Sequence, residues 1–256
     1  ATCQIRYGDG ARGFQLVSEV MYDPQTQSSP ALAVQAGLVL AEYHLRSHHW
    51  QEAGTVYSAL LRDDSTDYAA LRGFTEVCLQ VDRAADAVKA WRTARQAQPQ
   101  CREFRSFVVW ATALAIDDEA RREAETLLTD DPDNQLACMG LALISTRAGD
   151  PVTAAAWVDR AARGQPIPKA RAFERAAAAV QILVDRGKLP PEAVIVQAAI
   201  LAHAPPVSAG RARARELLDD FVAKHPDSPW SDLVERLRRE LSDAKTRSYT
   251  NLTTNV

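Results

Sequence analysis

Leu71-x-x-Phe74-Thr75-x-x-Cys78, followed by Ala87-x-x-x-Trp91-x-x-Ala94 and closed by Pro99, is the stretch whose reading decides the fold. Its apolar positions recur every three or four residues, the spacing of one buried face on each of two helices. A small residue recurs at one place: Ala53, Ala87, Ala120 and Ala154 stand 34, 33 and 34 residues apart. A second landmark, Ser65, Pro99, Pro132 and Pro166, keeps the same three intervals. Two independent landmarks with one period describe a unit repeated four times, each copy packing only on its neighbours.

The spacing of Leu71, Phe74, Thr75, Cys78, Ala87, Trp91, Ala94 and Pro99 resembles the tetratricopeptide repeat, a helix-turn-helix unit of about 34 residues. The resemblance implies an all-α fold, a TPR-type α-solenoid wound as a right-handed superhelix of about thirteen antiparallel helices. The division expected from it is an N-terminal extension and capping helix over 1–30, four repeats over 31–166, degenerate repeat-like helices and a C-terminal cap over 167–245, and a flexible tail over 246–256.

Composition suits close-packed helices. Hydrophobic residues make up 46% of the 256, Gly numbers only 11, and charged residues at 25% sum to a net charge of -3. Nothing is strongly basic, so bulk electrostatics do not suggest a nucleic-acid partner. No run of about 18 apolar residues exists, so no integral membrane span is expected. Cys3, Cys78, Cys101 and Cys138 form no C-x-x-C pair, and Cys78 and Cys138 fall on apolar helix positions where a thiol acts as a small hydrophobe. The chain opens on Ala1 without Met, which leaves its compartment open between cytoplasm and envelope.

Taken in order, Asp9 to Tyr22 reads as a single helix with Phe14, Val17 and Met21 on one stripe, and Ser28-Ser29-Pro30 as the start of the next. Val81-Asp82 reads as a hairpin turn with Asp82 capping the following helix. Gly149-Asp150-Pro151 carries a glycine for a left-handed C-cap, an N-cap acid and a first-turn proline. The third hairpin turn is one residue short. After Pro166 the period breaks, with helices expected over Lys169 to Arg186, Pro191 to Ala204, Ala209 to Lys224 and Trp230 to Ala244; their pairing is open. Leu217 to Pro229 resembles repeats of bacterial envelope lipoproteins that build outer membranes. Asn251-Leu252-Thr253 matches a glycosylation acceptor in a polar tail where chance explains it.

In this family the first helix of each pair lines a concave groove. Carried over residue by residue, the resemblance places Glu42, Arg72, Glu76, Arg102, Arg105, Val109, Met139 and Leu143 in it. Such a groove implies a protein or peptide partner, with an acidic group near Arg72, Arg102 and Arg105 and apolar side chains near Met139 and Leu143. The bland alternative pairs Arg72 with Glu76 and packs Met139 and Leu143 under a later helix. Relatives that clamp a chaperone's C-terminal carboxylate use Lys and Asn, whereas Glu42 and Glu76 stand at the matching positions and would repel it.

His44, His48 and His49 with Glu52 form the one cluster with metal-like spacing, although His44 occupies a core position and His48-His49 a turn. No phosphate loop, nucleophile elbow or zinc-protease motif is present, so neither catalytic residues nor a cofactor are expected. The expected function is a non-catalytic interaction scaffold binding a peptide or protein segment. The alternatives are the interaction region of a larger enzyme or regulator, or an envelope-associated assembly factor. Self-association through an uncapped end of the stack is a further option.

Overall fold

The computed structural model describes residues 19, 29–116, 118–164, 172–203 and 209–250, with the side chains of residues 172 and 243–250 left aside. The expectations for the helix from Asp9 to Tyr22, apart from residue 19, and for Cys3, Ser28, Pro166 and Asn251-Leu252-Thr253 lie outside the described residues. Those described contain twelve helices and no strand. They fall into two compact units, 1–115 and 116–256, divided within the third repeat.

The first unit holds α1 (Pro30–Arg46), α2 (Trp50–Asp63), α3 (Tyr68–Gln80), α4 (Ala84–Ala97) and α5 (Arg102–Leu114). Each helix packs on the next, and α1 also packs on α3, as expected where successive hairpins stack. Ala41, Ala53, Tyr57, Leu60, Ala70 and Val77 form a core cluster. Ala53 and Ala87, at the crossing position, are 0% and 2% exposed. An aromatic group follows: Trp91 is fully buried, stacks on Phe107 at 4.4 Å between centroids, and donates from Nε1 to Thr75 Oγ1 at 2.8 Å. A fully buried indole N–H without a partner would cost about 1–3 kcal/mol, so Thr75 is part of what allows Trp91 to fill this site.

The second unit holds α6 (Glu119–Asp130), α7 (Gln135–Arg147), α8 (Pro151–Arg163), α9 (Ala172–Asp185), α10 (Ala193–Ala202), α11 (Gly210–Lys224) and α12 (Ser231–Thr250). Here α10 is the hub. Its Ile195, Val196, Ala198, Ala199 and Ile200 are all buried, and a helix apolar on every side can only sit inside. It packs against α7, α8, α9, α11 and α12. The main partner of α8 beyond its own hairpin is therefore α10 rather than α9, the next helix in sequence, and this replaces the regular period after residue 166. Gln197 ties α10 to α9, its Nε2 donating to Ala177 O and Gln181 Oε1, both at 3.1 Å.

One turn recurs in both units. His48, Asp82, Gly149 and Gly187 have φ of 60, 61, 75 and 65° and are the left-handed residues of Schellman caps. The next amide reaches back to the helix each time: His49 N to His44 O at 2.8 Å, Arg83 N to Cys78 O at 2.7 Å, Asp150 N to Ser145 O at 3.0 Å, and Lys188 N to Leu183 O at 2.8 Å. The expected role of Asp82 is corrected by this cap. Asp82 adopts the left-handed conformation, and the N-cap of α4 is Arg83, with no side-chain cap bond. At the start of α1 the Ser29 side chain makes no cap bond, although Pro30 takes the first helical position as expected. Asp150 does cap α8, accepting from Thr153 N at 3.0 Å. Asp67 and Asn134 cap α3 and α7 in the same way.

Candidate functional site

The residues assigned to a groove fall into three groups. Glu42 on α1 is half-buried and pairs with Arg46 one turn on, at 2.7 Å. On α3, Arg72 and Glu76 are half-buried, and the Arg72 guanidinium lies 5.5 Å from the centre of the Tyr68 ring. That arrangement orients a long side chain at a contribution of about 0.5–1 kcal/mol. Since α1 packs on α3, these three charged residues belong to adjoining helices. Arg102 and Arg105 on α5 are exposed and half-buried, respectively.

Val109, Met139 and Leu143 are 2%, 1% and 4% exposed and present no surface to a partner. An apolar side chain gains about 1.5–3 kcal/mol by leaving water, so a fully covered face is the stable one. For α7 the cover comes from α6, α8, α9 and α10. Their expected place in a groove is thereby corrected to the interior. What survives as accessible is a charged row on the first helices of the first unit.

The histidines are arranged by packing. His44 and His49 rings lie 5.9 Å apart and His48 meets Trp50 edge-on at 4.9 Å. Among the described residues no group of three or more His, Cys, Asp or Glu side chains converges as a metal would require. Burial holds the His44 pKa below its usual value, opposed by the nearby Glu52 carboxylate and assisted by His49. The thiols of Cys78 and Cys138 are both buried, which pushes them up to about 12 and about 11, far from the thiolate form.

Sequence reasoning missed a cavity in the first unit, of about 640 Å³, between α2 and α3. Its lining mixes Arg62 and Trp50 with Phe74 and Val77, of which only Phe74 is a landmark of the repeat, and its spacing gives no sign of an open channel.

The family model described as tetratricopeptide repeat matches residues 118–166. A search of curated proteins returned no match. Among solved structures, the chain is similar to the crystal structure of a tetratricopeptide repeat protein from Parabacteroides merdae, with 13% identity over 93% of this chain and 94% of that one and a TM-score of 0.50. At that identity the likeness speaks for the fold alone. No helix among the described residues is long and apolar enough to cross a membrane.

Proposed function

The chain carries tetratricopeptide repeats, and on that premise we propose that it is a non-catalytic scaffold holding a segment of a partner protein along the first helices of its first unit. Repeats of this kind suggest a protein-interaction scaffold because stacked hairpins create extended surfaces. The observation that carries the finer assignment is the packing of α1 on α3, which sets Glu42, Arg72 and Glu76 on adjoining helices. Arg72, its guanidinium 5.5 Å from the centre of the Tyr68 ring, places a cation on that pair of helices. Arg102 and Arg105 on α5 add cationic character, and the acidic Glu42 and Glu76 would select for basic or amide groups beside a carboxylate.

The test is affinity capture from the native host's lysate, comparing wild type with the Arg72→Glu, Arg105→Glu double variant and identifying proteins by mass spectrometry. A partner held by wild type and lost by a still-folded variant is expected. Identical partners for both would reject the charged row as the working surface.

A further inference from the structure

Phe74 and Val77 on α3, with the C-cap residue Val81 just past its end, point away from Arg72 and Glu76, since about 100° per residue separates the two sets by roughly half a turn. That second face is the floor of the cavity between α2 and α3, about 640 Å³ in volume. A smaller cavity of about 230 Å³ shares Ser58, Arg62 and Phe74 with it and continues to Ala90 and Thr93 of α4. Sharing these walls, the two make one channel that runs from between α2 and α3 to α4. Its larger chamber lies within the range of about 300–1,000 Å³ typical of ligand pockets, room for several side chains rather than one ion.

The lining has a definite chemistry. Arg62 and Arg83 border the larger chamber, and neither chamber is lined by any Asp or Glu. This is in a chain with 33 acidic against 30 basic residues. Arg83 is engaged by Asp86 at 2.6 Å. Arg62 is exposed and makes no ion pair among the described residues, so it is the cation available to an incoming charge. The apolar lining includes the half-buried Phe74 and Trp50, with the buried Val77 behind them. Hydroxyls of Thr55 and Ser58 lie along the wall.

We propose that the channel between α2, α3 and α4 is a second docking site, which takes a partner-protein segment carrying an acidic side chain flanked by apolar or aromatic ones. The carboxylate meets Arg62 and the apolar side chains cover Phe74, which is only half-buried. Charge complementarity selects the occupant: a basic segment would meet two arginines, and a bare anion would leave the apolar floor uncovered. The site is independent of the first-helix row, so each can fail without the other.

The experiment pans a phage-displayed random dodecapeptide library against the full chain. The best peptide is then measured by fluorescence anisotropy against wild type, Arg62→Glu, Ser58→Trp and the Arg72→Glu, Arg105→Glu double variant. Ser58 and Arg62 line the accessible channel, and circular dichroism checks that their variants remain folded. The expected result is enrichment of sequences joining Asp or Glu to Phe, Trp or Leu, and affinity at least tenfold weaker for Arg62→Glu, which reverses the charge, and for Ser58→Trp, which fills the channel. The double variant should bind as wild type does, and hydrogen exchange should slow in 50–62 and 74–83. Lack of enrichment over an unrelated immobilised protein, or equal binding by Arg62→Glu, overturns the proposal. So does sedimentation showing a dimer that Arg62→Glu dissociates, which would make the occupant a second copy. Protection of the same segments by inorganic phosphate alone, with no peptide binding, would reduce the channel to a small-anion site.

Discussion

The ring of Tyr57 occupies the space a side chain on Gly73 would need: a Cβ built there lies 2.1 Å from Tyr57 Cζ. Tyr57 is buried, at 4% exposure, so the ring cannot swing into solvent without opening the core it belongs to. Replacing Gly by Ala inside an open helix gains about 1 kcal/mol. Here overpacking opposes that gain, at about 1–3 kcal/mol or more. Gly73→Ala is expected to lower the denaturant midpoint. A rise would show that α2 and α3 are not this close.

Thr75 carries a second prediction, because its hydroxyl is the partner of the fully buried Trp91 indole. Thr75→Val keeps the shape and removes the acceptor, leaving a buried N–H unsatisfied at about 1–3 kcal/mol. Adding Trp91→Phe to Thr75→Val should cost less than the two single changes summed, a coupling that a double-mutant cycle in urea reads directly.

Ile116 has φ of 59° at the turn between the helices of the third repeat, where Asp82 and Gly149 stand in the neighbouring copies. A β-branched residue in that conformation is strained by about 1–2 kcal/mol. Arg147 Nη1 donates to the Ile116 carbonyl at 2.9 Å, a backbone contact that any residue at 116 preserves. Ile116→Gly should therefore raise stability by roughly 1 kcal/mol, measured as a shift in melting temperature without change in helical content.

His44 predicts a pH effect of definite sign. Burial lowers its folded pKa below the ordinary 6.5, so between those values the unfolded chain takes up a proton that the folded chain refuses. The associated stability is complete above pH 6.5 and is lost as pH falls below it. His44→Tyr should flatten the fall in melting temperature between about pH 7 and 5 relative to wild type. An unchanged slope would contradict the burial assigned to this side chain.

Cys78 and Cys138 are expected to resist a maleimide at pH 8 while the chain is folded and to react on unfolding, since both thiols are buried and raised to about 12 and about 11. Cys101 is only half-buried, with Sγ at 3.3 Å from Glu103 Oε2, and should be labelled first among these three. Peptide mapping of the labelled sites checks the order.

The period that marked Ala53, Ala87, Ala120 and Ala154 was legible because a crossing of two helices tolerates only a small residue, and all four are almost fully buried. Trp91 was legible for the converse reason, as the one bulky residue in its helix able to fill the gap. The exchange of α9 for α10 as the partner of α8 was not, since α10 reads simply as apolar and an apolar run does not say which neighbours cover it. The resemblance placed Met139 and Leu143 on the groove side of α7, but α9 and α10, which lie past the break in the period, pack on α7 along with α6 and α8. The Arg62 channel escaped for a related reason: its walls come from three helices, and each residue alone has an ordinary place in the repeat.

The central claim is that a partner segment lies along α1 and α3, and hydrogen exchange of the full chain, with and without its captured partner, tests it most directly. The account predicts slowed exchange in peptides covering 38–46 and 68–80, lost in the Arg72→Glu, Arg105→Glu variant. Partner binding with protection confined to the second unit, and unaffected by that variant, would contradict it.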